Sequence, residues 1–370
     1  MTPFIGTGTI RIEVTVSRAR TRSVAVKANR PQGLTRMFLD RRPEEAPALA
    51  QKLFSLCGFA QSVAARLAVL EAADLTMNDE DRMGACAGLL AERIFETLRA
   101  LIVHWPTPLP AAVAAAAGAN LRGALTASKA IVEEVKAERL DRARVAVTAE
   151  QLSVAATALG IPGQGDTLMA GTALAAMLRD VENDRTITGR SPDPLTIKDD
   201  PEVATRLWDE PGYANLPYLF GRVAETGAYA RFASAGFAGA SHLAQRLLAR
   251  TGDVHISLSQ LTALAWTGEF DWTLLASSGP TPGAGGYGAV ECARGRLYHQ
   301  AEIGDDGRLS AYRIIAPTEW NFHPAGPFVE TLLSSPLRTD EASVRSVSRL
   351  AALFDPCVAF EVDVREAANA

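Results

Sequence analysis

Residues 9 to 28, TIRIEVTVSRARTRSVAVKA, alternate apolar and polar side chains on either side of a short polar stretch. A period of two gives each arm one apolar face and predicts an amino-terminal β-hairpin. From about 44 to 180 the repeat becomes helical: Phe59, Val63, Leu67 and Leu70 share one face, as do Leu90, Ile94, Leu98 and Leu101. The prolines of HWPTPLP interrupt that run. Residues 181 to 217, with GRSPDPLTIKDDP, are polar and proline-rich and read as a long loop or a domain seam. Further helices are expected over 220 to 266. Beyond SSGPTPGAGGYG, the segments RGRLYHQAEI and LSAYRIIA flank the turn GDDG as a second hairpin. A helix near 340 to 353 then leads into FDPCVAFEVDV, where Val358, Phe360, Val362 and Val364 again alternate. The expected fold class is α+β, mostly helical: a central helical bundle with small antiparallel sheets near both ends.

Composition narrows the function. A chain of 370 residues, 48% hydrophobic and 21% charged, can bury a large core and is ordinary for a soluble protein. A formal charge of −5 with dispersed Lys and Arg argues against a nucleic-acid surface. The start, MTPFIGTGTIRIEV, lacks the charged-then-apolar order of a signal peptide, and no apolar run reaches the ~18 residues of a membrane span. The chain reads as cytoplasmic.

The four cysteines are Cys57, Cys86, Cys292 and Cys357, with no Cys-x-x-Cys, and a reducing compartment disfavours a disulfide framework. Cys86, in RMGACAGLL, reads as a small buried hydrophobe. GAGGYG fits Gly-x-Gly-x-x-Gly but lacks the strand-turn-helix unit of a dinucleotide site, so it reads as a flexible loop. No two of the five histidines have metal-ligand spacing, and no nucleophile elbow supports a hydrolase. Cys57-Gly58 falls between two helical patterns, where amides of the next helix would face the sulfur and lower its pKa. Cys357 follows an Asp-Pro turn. Packing, half a disulfide, a nucleophile and a metal ligand all remain open for it. Two thiols 300 residues apart, each at a break in regular structure, are what a metal site closing the two ends of a fold would require.

These segments together resemble the large subunit of nickel-iron hydrogenases. More closely, they resemble its degenerate relatives, the hydrogenase expression/formation proteins of the HupK/HoxV family. GYGAVECARGRLYHQAEIGDDGRLSAYRIIAPTEWNFHP, residues 286 to 324, is similar to the family's Glu-Ala-Pro-Arg-Gly motif, hairpin and Pro-Thr-Thr-Trp-Asn motif. GTIRIEV and QGLTRMFLDRRP resemble the amino-terminal motifs, and SLCGFAQSVA and FDPCVAF the two cysteine motifs. The resemblance implies a single hydrogenase large-subunit-like domain over 1–370. Within it, 1–43 would form the hairpin region, 44–280 the mainly helical part, and 281–370 the second hairpin and carboxy-terminal cysteine segment.

It also implies what is missing. A working large subunit carries two Cys-x-x-Cys pairs; here Ala60 and Phe360 stand in place of the second thiols, and Ala64 and Asp363 in place of the closing histidines. Acids linked to proton delivery and to a structural magnesium align with Thr7 and Thr35. Two thiolates do not make the full soft-donor set nickel prefers, and hydrogen chemistry needs a titratable group near the metal. No nickel and no hydrogenase catalysis are expected.

The survivors, Cys57, Cys357, Arg294, Thr318 and Asp355, suit a bare Fe(CN)2(CO) unit. The two sulfurs would bind iron, the guanidinium and the hydroxyl would donate to the cyanides, and Asp355 would orient Arg294. The implied role is a non-catalytic scaffold that holds or transfers this unit. Its partners would be the immature hydrogenase large subunit and a small metallo-chaperone of the HypC type. The alternative is a metal-free docking chaperone that mimics the large subunit. Cys292 replaces the family's alanine two residues before Arg294. On a strand both would face one way, which makes Cys292 either a third sulfur or a small buried residue.

Overall fold

The computed structural model describes residues 8–29, 33–136, 140–163, 168–233, 239–283 and 285–367. The chain opens with strands β1 (Thr9–Ser17) and β2 (Arg20–Asn29). Helices α1 (Ala46–Leu53), α2 (Gly58–Ala72), α3 (Asp79–His104), α4 (Ala111–Val135), α5 (Arg142–Leu159) and α6 (Ala173–Val181) follow. Next come α7 (Asp200–Asp209), the single turn α8 (Ala228–Arg231) and the long α9 (His242–Thr267). Strands β3 (Ala276–Thr281), β4 (Gly285–Cys292), β5 (Gly295–Ile303) and β6 (Leu309–Ile315) form an antiparallel sheet in that order. Helices α10 (Pro317–Asn321), α11 (Pro327–Leu333) and α12 (Glu341–Phe354) precede β7 (Ala359–Glu366).

The α+β, mostly helical class stands, and both hairpins form where the alternation places them. Helix α3 packs on α4 and α9, with Leu90, Ile94, Leu98 and Leu101 at its buried centre. Its start is set by Asn78, whose side chain accepts from the Asp81 amide at 2.8 Å, with three acids in the first turn to meet the helix dipole. None of the described helices is long and apolar enough to cross a membrane.

Three features depart from the sequence expectations. Strand β7 pairs parallel with β1, Ile10 opposite Phe360 and Ile12 opposite Val362, so the two ends share one sheet of order β2-β1-β7. Single-strand periodicity carries no information about pairing direction. The supposed seam at 181 to 217 contains α7, whose first residue Asp200 is fully buried.

The third departure is the glycine-rich run. Residues 285 to 288 lie in β4, a strand buried along its whole length, rather than in a flexible loop. The glycines are there because α2 lies directly on the sheet: a Cβ at Gly288 would sit 2.4 Å from the Ala64 carbonyl oxygen and 2.5 Å from the Leu67 Cβ. Gly288→Ala is therefore expected to destabilise the protein by about 3 kcal/mol, the upper end for overpacking because backbone must move. A urea midpoint equal to that of the unmodified protein would contradict this account of the strand.

Candidate metal centre

Cys57 sits immediately before α2 in the left-handed region, φ 55°. Asp355 ends α12 in the same region at φ 54°, and Cys357 has φ 64°. Such conformers cost a non-glycine residue of order 1–3 kcal/mol and concentrate at functional sites. Three of the seven among the described residues converge here.

Their meeting point is Arg294. It belongs to the two-residue turn, Ala293-Arg294, that joins β4 to β5, where Cys292 pairs with Gly295. Arg294 Nη1 donates to the Cys57 sulfur at 3.0 Å. Its two terminal nitrogens reach Glu96 Oε2 at 3.5 and 3.4 Å. Nε lies 3.2 Å from Asp355 Oδ2, an ion pair whose angle leaves the N–H without a formal hydrogen bond. Asp355 Oδ2 also accepts from Arg250 at 3.2 Å. Burial opposes the Arg294 charge, but Asp355, Cys357, Cys57 and Glu96 outweigh it and hold its pKa above the ordinary value. Burial likewise opposes ionisation of Asp355, yet Arg294 and Arg250 keep that carboxyl below the usual range. Both sequence-predicted sulfurs thus act on the same guanidinium, and Asp355 takes the partner expected for it.

The expectation for the Cys57 thiol is overturned. Its pKa is raised, first by a hydrogen bond with Cys292 and then by burial, against the pull of Arg294. The helix amides that were to stabilise a thiolate are occupied: Phe59 and Ala60 N–H donate to the two Glu92 oxygens at 2.7 and 2.9 Å. Cys292 moves the other way, lowered first by the Cys57 thiol, then by the Arg294 amide and guanidinium, against burial. Cys86 is fully buried in the core, and burial pushes its thiol up to about 12.

Thr318 is buried at the start of α10. A cavity of about 20 Å³ on another side of Arg294, room for one water-sized molecule, is walled by Arg250, Phe354 and Asn321 and by neither Thr318 nor any of the thiols. Asn321, on the same helix, is held by both amide atoms to the Thr226 backbone at 3.0 Å. Thr35 falls on a short 3-10 turn, Leu34–Phe38, and Thr7 lies outside the described residues.

Sequence reading missed Glu92, Glu96 and Arg250. Arg93, Glu96 and Thr97 are buried among the apolar positions of α3, and polar residues interleaved in that face were the available signal. Burial pushes the Glu92 carboxyl up to about 8, against the two amides it accepts from, with Glu96 adding to the rise. The ordinary value is 4.5, so the folded protein holds a proton there that the unfolded chain releases. Stability from this group is full below about pH 4.5 and declines as pH rises towards about 8. Glu92→Gln is expected to remove that decline, and urea midpoints across the window check it. A parallel fall in both proteins would refute the assignment.

Among the described residues, no three His, Cys, Asp or Glu side chains gather as a preformed metal-holding set. The thiols grouped around one guanidinium fit a soft metal that brings other ligands with it better than one needing an all-protein shell.

Known proteins resemble this chain in sequence and in fold. The profile described as nickel-dependent hydrogenase matches residues 228–363. The hydrogenase expression/formation protein HupK of Rhizobium leguminosarum bv. viciae is 74% identical over 370 residues, 100% of both chains. The hydrogenase expression/formation protein HoxV of Cupriavidus necator is 29% identical, covering 92% of this chain and 93% of its own. In fold, the Ni-Fe-Se hydrogenase of D. vulgaris Hildenborough in the reduced state superposes with a TM-score of 0.64 at 15% identity, over 93% of this chain and 95% of that one. The chain belongs to the HupK/HoxV family of hydrogenase expression/formation proteins and has the fold of a nickel-iron hydrogenase large subunit.

Proposed function

We propose that this chain is a cytoplasmic, non-catalytic assembly factor. It holds the Fe(CN)2(CO) precursor, as cargo, on its way to a hydrogenase large subunit. The observation that carries the reading is the convergence of Cys57, Cys357 and Asp355 on the buried Arg294. In this reading Cys57 and Cys357 supply thiolates to iron. Arg294 offsets the negative charge of the assembly and donates to cyanide nitrogen, and Asp355 with Arg250 fixes the plane of its fork. Thr318 supplies a further donor towards the diatomic ligands. The cargo is received from a small metallo-chaperone of the HypC type and passed to the large-subunit precursor.

Protein purified without oxygen from cells making hydrogenase should show cyanide and carbonyl infrared bands, in a region where protein is transparent. Replacing Cys57 and Cys357 together by Ser should abolish both the bands and hydrogenase maturation. The fold likeness over 93% of the chain favours a second reading, a metal-free docking chaperone that mimics the large subunit. Maturation that survives the double substitution, with no bands in the unmodified protein, selects that reading.

A further inference from the structure

We propose that Cys292 is a third sulfur of this site, forming with Cys57 a two-thiolate seat for one soft metal ion beneath Arg294. That the ion in the cell is iron rests on the function proposed above; the seat itself does not.

Cys292 and Arg294 do not share a strand, as alternation would require. Cys292 is the last residue of β4, and Arg294 lies in the turn after it. A two-residue turn reverses the chain within the space of two side chains, so both groups stay at the same end of the sheet. Helix α2 packs on β4 and β5, which brings its leading residue to that end. The result is a hydrogen bond between Cys57 and Cys292, with both residues more than nine-tenths buried.

Geometry supports a metal there: Arg294 donates to the Cys57 sulfur at 3.0 Å, and both thiols are buried beside that guanidinium. A divalent cation bound between the two sulfurs forms two metal–sulfur bonds, and each thiol releases its proton to bulk water as its bond forms. No electron is exchanged in this step. A cysteine placed only for packing would need neither the sulfur partner nor the guanidinium.

The test uses the full chain, metal-free and fully reduced, titrated with Co(II). The unmodified protein should bind one ion with sulfur-to-metal charge-transfer absorption. Cys292→Ser should weaken binding by at least about tenfold and reduce that absorption, because losing even an outer-shell partner of a metal commonly has such an effect. Cys86→Ser should leave both unchanged. A second measurement avoids altering the buried pair: X-ray absorption of Co(II)-loaded Cys357→Ser protein should still count two sulfur neighbours. One or no sulfur there, no Co(II) binding, or a Cys292→Ser protein equal to the unmodified one overturns the proposal. Absent infrared bands in the cell-derived protein would remove only the iron reading.

Discussion

Asp253→Asn should destabilise the protein by about 3–5 kcal/mol, the range for removing one partner of a buried ion pair. Asp253 is 2% exposed on α9 and bridges two arginines. Arg93 of α3 donates to it from Nε at 2.8 Å and also from Nη2. Arg231 of α8 donates at 2.9 and 2.8 Å. Asparagine preserves the shape but removes the charge, leaving the buried Arg93 and the partly buried Arg231 facing a neutral amide. Arg231 retains Glu291 at 2.6 Å, so most of the effect falls on Arg93. Burial raises the Asp253 pKa, but Arg231 and Arg93 overcome it and hold the carboxyl well below its ordinary value. A lowered carboxylate stabilises the fold above its unfolded pKa, and the contribution is lost as pH falls towards the folded value. The difference between the two proteins should thus be full at neutral pH and shrink only in strong acid. A urea midpoint series gives the answer, and a neutral-pH change under about 1 kcal/mol would contradict the bridging role.

Arg294→Leu is the second large effect, and it acts on both stability and chemistry. The carboxylates it leaves behind keep other partners, Asp355 with Arg250 and Glu96 with Arg99. The expected loss is therefore at the lower end for a broken buried pair, about 3 kcal/mol. The site loses more. Without the guanidinium, Cys57 loses the donor 3.0 Å from its sulfur, and Cys292 loses the same cation. Co(II) binding and the infrared bands should both be lost. Arg294→Lys restores one charge without the planar fork, so stability should recover more fully than ligand binding. Full recovery of both by Lys would show that charge alone matters and that the fork does not.

The sequence revealed those parts of the fold whose signal is local. Both hairpins and the phases of α2 and α3 follow from side-chain period, and the ordered motifs between residues 5 and 364 identified the architecture. What escaped is set by distant partners. The glycines of β4 look like a loop until α2 is laid on them, because a glycine needed for close approach and one needed for flexibility are indistinguishable in a string. Cys57 looked like an activated thiol because its helix start supplies amides, and nothing local reveals that Glu92, from the neighbouring helix, occupies them. Cys292 and Arg294 lie at one end of the sheet because of a turn rather than strand alternation.

The parallel pairing of β7 with β1 also governs when the centre can exist. Arg11 and Glu361 meet across 350 residues of chain, and contacts of such separation form late because the loop they close is so long. During synthesis β1 keeps one edge unpaired until Ala359–Glu366 has left the ribosome. Cys357 arrives just ahead of that strand. A nascent chain therefore lacks the Cys357 contribution to Arg294 until the segment that carries this cysteine has been made.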